Sequence, residues 1–124
     1  MKYCILLVCL LFSGSLYAQQ AKAYEMVHYV AKSDGHTYLL DYADGYPAAS
    51  NVKIKRLNRI TSTFQPVNGG SDDNGDLLFT ASKSKQAGQI VLHGIDENST
   101  APAMLKATHT LNRRKLMLRF TKKE

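Results

Sequence analysis

From Tyr24 onwards, apolar and polar residues alternate in short runs, and turn-forming residues separate the runs. Alternation with period two sends successive side chains to opposite faces, so each run reads as a half-buried β-strand. The pattern predicts eight strands, over 24–32, 36–42, 52–57, 60–66, 76–82, 89–95, 103–111 and 115–121. The breaks at 33–35, 43–47, 69–75 and 96–100 are rich in Gly, Asn, Asp, Ser and Pro, residues suited to turn geometry.

The first hairpin can be read to its register. Asp34-Gly35 suits a two-residue type I′ turn, whose central residues both need positive φ. That turn pairs Ser33 with His36, Val30 with Leu39 and His28 with Asp41. One face is then Val27, Tyr29, Ala31, Tyr38, Leu40 and Tyr42, apolar and fit for a core. The other carries His28, Val30, Lys32, Thr37, Leu39 and Asp41. A three-residue turn would set His28 opposite Leu40 instead, with every side chain reassigned.

In the last strand Leu116, Leu118 and Phe120 alternate with Lys115, Met117, Arg119 and Thr121, so one face is buried and the other solvated. The 103–111 run is open to two readings. Ser99 or Thr100 followed by Pro102 can start a helix, with Met104, Ala107 and Leu111 at helical spacing. Thr108-His109-Thr110 favours a strand, which keeps the pattern unbroken, and a strand is expected. The fold class is therefore all-β: a single antiparallel eight-stranded meander, either a closed barrel or a small sandwich. Short connections favour a meander, and closure removes sheet edges. The architecture resembles that of small secreted lipocalin-like barrels and periplasmic lysozyme-inhibitor barrels, a likeness of fold that carries little about function. Eight short strands imply an interior filled by side chains rather than a deep cavity.

The first 18 residues do not share this pattern. Lys2 precedes an unbroken apolar run over 4–12, then Ser13-Gly14-Ser15 and Ala18 ahead of Gln19-Gln20. This is the layout of a cleaved signal peptide, and the run is about half of the roughly 20 residues that span a bilayer as a helix. The expectation is an exported protein, periplasmic or extracellular, bacterial in style, with a single domain over 19–124 and no transmembrane segment after cleavage. Val8 stands where a lipoprotein signal has Gly or Ala, which argues against lipid attachment at Cys9. Both cysteines, Cys4 and Cys9, leave with the leader. Thiol catalysis, cysteine-ligated metals and disulfides leave with them.

Removing Lys2 lowers the formal charge from +6 to +5. A basic exported domain is drawn to acidic partners. Its basic residues fall in blocks at 53–56, 83–85, 113–115 and 122–123, which read as solvated surface. Basic and aromatic residues are not interleaved on one strand, so a nucleic-acid partner is not expected, and the lack of tryptophan argues against a sugar-binding platform.

Candidate chemistry is sparse. The His28–Asp41 cross-strand pair is the one acid–base candidate, since a carboxylate fixes an imidazole tautomer and raises its basicity. No nucleophile is placed beside it by spacing, and an enzyme is not expected. No HxH or HxxxH spacing marks a metal site; His93 and His109 fall on runs that would be neighbours in a meander. Asp72, Asp73 and Asp76 have the composition of a calcium loop without its spacing, and an acidic turn explains them equally. Asn98-Ser99-Thr100 is a glycosylation sequon that carries no meaning in a bacterial protein. No cofactor is implied.

Five of the seven tyrosines fall between Tyr24 and Tyr46. Tyr42 and Tyr46 bracket a loop, and tyrosine combines a large contact area with a polar tip. The reading reached is a non-enzymatic binding module for a protein or cell-envelope partner, possible contacts being Tyr42 and Tyr46. A carrier of a small apolar ligand is the alternative, and a hydrolase using His28 and Asp41 a distant third.

Overall fold

The computed structural model describes residues 24–83 and 85–123, so the leader and both cysteines lie outside the described residues. It contains the eight strands, each within two residues of the predicted bounds: β1 (Glu25–Ser33), β2 (His36–Asp44), β3 (Asn51–Arg56), β4 (Arg59–Pro66), β5 (Leu77–Ala81), β6 (Gln89–His93), β7 (Met104–Leu111) and β8 (Arg114–Lys122). The 103–111 segment is a strand, not a helix. Every strand pairs antiparallel with its chain neighbours, and β8 returns to β1, so the sheet closes as a barrel and not as a sandwich.

The first hairpin has the two-residue register, with Val30 opposite Leu39 and His28 opposite Asp41. Asp34 and Gly35 both have positive φ, 49° and 74°, as a type I′ turn requires. Two further hairpins use the same geometry with less accommodating residues: Leu57-Asn58 between β3 and β4, and Asn112-Arg113 between β7 and β8.

The barrel interior is apolar and filled. Tyr29, Phe64, Phe79, Phe120, Leu40, Leu77, Ile90, Leu92 and Val52 are fully buried, from every strand except β7, whose Leu105 and Ala107 join them. Eight strands leave just enough width for such side chains. The outward positions include Lys53, Thr63, Lys106 and Arg119, facing solvent across the wall. Apolar inside and charged outside is the reverse of a membrane-spanning barrel, and no helix among the described residues is long and apolar enough to cross a membrane.

One irregularity redirects a side chain. The β3–β4 register shifts between Ile54 and Lys55, so that Ile54 faces Ser62 while Lys55 faces Ile60. Thr61 is the extra residue of this bulge, and its hydroxyl donates to the Ile54 carbonyl at 3.2 Å. Simple alternation from Phe64 would bury Ile60; the bulge turns it outward. The seam between β1 and β8 is short, with Tyr29 opposite Lys122 and Val30 opposite Thr121.

In an up-and-down meander, alternate connections fall on opposite ends. The β1–β2, β3–β4, β5–β6 and β7–β8 connections, all but β5–β6 two-residue turns, form a hairpin end, and the β2–β3, β4–β5 and β6–β7 connections form a loop end.

Candidate functional site

The hairpin end is where the barrel interior meets solvent. A pocket of about 300 Å³ opens there, walled by Ile54, Ala87, Leu111 and Leu116, with Thr61 and Ser62 to one side and Tyr38 and His109 at its inner end. Its position follows from local structure. Two-residue turns cannot fold back over the mouth, whereas the longer β5–β6 connection, with a 3-10 turn at Lys85–Ala87, can reach across it. Gly88 makes that approach possible: its φ is +80°, and a Cβ there would lie 2.0 Å from the Thr110 carbonyl oxygen.

The close approach places the Ala87 carbonyl 2.8 Å from His109 Nε2. A carbonyl only accepts, so Nε2 carries the hydrogen, and Nδ1 accepts from the Tyr38 hydroxyl at 2.8 Å in the neutral ring. Tyr38 and Phe64 meet the imidazole edge-on, at centroid distances of 5.6 and 5.7 Å. His109 is thus a buried, doubly bonded floor whose nitrogens are both engaged. Burial pushes the Tyr38 phenol above its ordinary value, helped by the charge of Asp34, so it remains a hydroxyl at neutral pH.

Three of the four basic blocks of the sequence reach this end, while Lys122 and Lys123 lie at the loop end. Lys32 precedes the first turn, Lys55, Arg56 and Arg59 flank the second, Lys83 and Lys85 lie in the third connection, and Arg113, Arg114 and Lys115 surround the fourth. Asp34 is the one carboxylate among them. Among the described residues the ion pairs are His28–Asp41 and His93–Asp76, so, Lys85 aside, none of these cations is paired with a carboxylate. A ring of like charge around a low-dielectric pocket concentrates the field in its mouth.

The loop end is built differently. The Tyr29 hydroxyl donates to the Pro102 carbonyl at 2.6 Å, Ser50 Oγ accepts from the Ala43 amide at 2.9 Å, and Asp44 accepts from the Ala101 amide at 3.2 Å. Ile95 is buried there. Tyr42, expected at a contact surface, is only 3% exposed and stands edge-on to Tyr29 in the core, out of a partner's reach. It lies on β2 with inward parity, and the loop that it was taken to bracket begins only after Asp44. Tyr46 is half-buried with its ring 5.9 Å from that of Tyr24. Burial pushes the Tyr29 phenol up to about 12, with Tyr42 and Asp44 adding to the shift. It also raises Tyr42, beside Asp44, Glu97 and Asp96.

The acidic turn serves itself. Asp72 Oδ1 accepts from the Asn74 and Asp76 amides, both at 2.9 Å, while Asp76 accepts from His93 Nδ1 at 2.9 Å. Among the described residues no three His, Cys, Asp or Glu side chains converge as a metal needs, so Asp72, Asp73 and Asp76 do not form a calcium cage. In the next loop, the Ser99 hydroxyl and the Asn98 amide hold the Asp96 carboxyl below its ordinary value.

His28 Nδ1 donates to Asp41 at 2.6 Å on the outer wall, where His28 is 58% exposed. The expected pair is present, but among the described residues no hydroxyl is hydrogen-bonded to the other imidazole nitrogen. His93 and His109 do not face each other, since His109 points inward and His93 outward. His93 makes an arrangement that sequence spacing hid: Nδ1 to Asp76, and Nε2 accepting from the Thr108 hydroxyl at 2.8 Å. The groups stand in the order of an acyl-transfer triad. Thr108, however, sits inside a strand paired on both sides, opposite Val91 and Met117. Its neighbouring amides are engaged in the sheet and offer no oxyanion site. The chain of bonds ties β5, β6 and β7 together across the outer wall.

The basic ring was also missed, though it had a signal: in a meander, the first, third, fifth and seventh connections share an end, and three of the four Lys/Arg blocks lie in or beside them. In comparisons with known proteins, no family model, no curated protein and no solved structure matches this chain.

Proposed function

We propose that this is an exported, non-enzymatic binding module whose ligand is a small amphiphilic acid, with an apolar body in the mouth pocket and an anionic head among the basic residues of the rim. The observation that carries this reading is the pocket of about 300 Å³ with apolar walls, whose lining includes Arg114 and Lys115 against the single carboxylate of Asp34. That volume is at the small end of ligand sites, which run from about 300 to 1,000 Å³. An apolar body is favoured by Ile54, Leu111 and Leu116, and an anionic head by Arg114 and Lys115, which also line the pocket. The His109 nitrogens are occupied by Tyr38 and Ala87, so the floor supports a ligand without reacting with it.

Calorimetric titration with octanoate and with octanol tests the assignment. Octanoate should bind the more tightly by several-fold, and Arg114→Gln should bring it down towards octanol while leaving octanol unchanged. Filling the pocket with Ser62→Phe should abolish both, with the fold checked by circular dichroism. Equal affinity of octanoate and octanol, or a wild-type protein that binds neither, would refute the reading.

A further inference from the structure

We propose that the β3–β4 hairpin tip docks the mouth end of the barrel onto an anionic lipid bilayer. Leu57 is the first turn residue, with φ 51° and 88% of its surface exposed. A side chain with a Cβ is disfavoured in left-handed backbone, where Gly, Asn and Asp are the residues that fit. The equivalent first positions of the other two-residue turns at this end are Asp34 and Asn112, which obey that rule. Leu57 thus strains the backbone and wets an apolar side chain, and the fold gains nothing visible from either. An outlier of this kind is grounds for a functional hypothesis.

The rest of the hairpin shows the same choice. Ile60, turned outward by the Thr61 bulge, is 55% exposed. Arg56 and Arg59 face each other directly across the two strands, an arrangement that repels, and neither is paired with a carboxylate among the described residues. Lys55 lies opposite Ile60.

An anionic bilayer satisfies all of these features together. The leucine and isoleucine enter the acyl boundary, and the flanking arginines and lysine remain at the phosphates, as in interfacial membrane anchors. A soluble polyanion would use the cations and leave the apolar tip wet. The site is distinct from the pocket, but both lie at one end, so a docked barrel has its mouth turned towards the lipid.

The test is co-sedimentation of the mature protein with phosphatidylcholine vesicles made with and without phosphatidylglycerol. The wild type should bind the anionic vesicles, less so as salt rises, and pass over the neutral ones. Leu57→Asn should weaken binding roughly tenfold, the effect of losing one partly inserted leucine. Its Tm should hold or rise because asparagine suits the turn, and its octanoate affinity should not change. Arg56→Ser with Arg59→Ser should remove the salt dependence along with most of the binding. Vesicle binding unchanged in Leu57→Asn, equal binding to neutral vesicles, or a lowered Tm in that variant would each overturn the proposal. So would heparin retention that tracks vesicle binding and is indifferent to Leu57, which would mark a polyanion surface instead.

Discussion

The two ends of the barrel handle charge in opposite ways. At the loop end, carboxylates are consumed internally: Asp72, Asp44, Asp96 and Glu97 each accept from a backbone amide of their own or a neighbouring loop. At the hairpin end the cations, Lys85 aside, have no carboxylate partner among the described residues, and three of the four connections that bear them are two-residue turns too short to need one. The loop end therefore uses its polar groups to stay shut, while the hairpin end leaves them for something else. The difference comes from connection length. Long loops have backbone groups to satisfy, whereas a two-residue turn satisfies itself within the ladder.

The comparison can be broken most severely at Gly88. Gly88→Ala puts a methyl into the Thr110 carbonyl and holds alanine at φ +80°, which should cost about 3 kcal/mol. Thermal denaturation would register this as a Tm lower by roughly 10–20 °C. Because Ala87 must move away from His109, octanoate binding should fall as well; a stable Gly88→Ala variant would mean that the mouth does not depend on this approach.

Alkaline pH should weaken the loop end first. The Tyr29 phenol stands at about 12 in the folded chain against about 10 when unfolded. A folded value above the unfolded one contributes stability that is complete below pH of about 10 and is lost as pH rises towards 12. The loss should be on the order of 2 kcal/mol, read as a falling urea midpoint across that window. Tyr29→Phe should flatten the fall; an unchanged slope in that variant would assign the loss to other groups.

The smallest effect compares one substitution at both ends. Tyr29→Phe leaves the Pro102 carbonyl without its 2.6 Å donor and should cost about 1–2 kcal/mol. Tyr38→Phe deprives the buried His109 Nδ1 of its donor, whereas Pro102 is exposed and water can reach its carbonyl, so Tyr38→Phe should cost somewhat more, about 2 kcal/mol. Equal losses in urea denaturation would show that the ends are closed alike.

The fold was legible because most strands of the barrel alternate between buried and exposed positions, and Asp34-Gly35 permits one turn geometry above others. The Val27, Tyr29, Tyr38 and Leu40 face was readable for the same reason. Ile60 was not, since the bulge at Thr61 leaves no mark in a period-two pattern. Leu57-Asn58 was hidden as a turn because leucine is a poor residue for it. Tyr42 could be placed on the core face by parity, yet its closeness to Tyr46 in the chain suggested a surface that β2, running on to Asp44, does not offer. The pocket needed three dimensions: Ile54, Ala87, His109 and Leu116 come from four separate segments and meet only on closure.

With most bases towards one pole and most acids towards the other, and only Lys122 and Lys123 among the basic blocks at the acidic pole, the barrel is an electric dipole as well as a cation. Near an anionic surface such a body feels a torque before it makes contact, so it arrives mouth first instead of searching orientations by collision. The same polarity draws one copy's loop end towards another's hairpin end. That head-to-tail attraction operates in dilute salt and fades once the screening length shrinks to about 8 Å at physiological ionic strength.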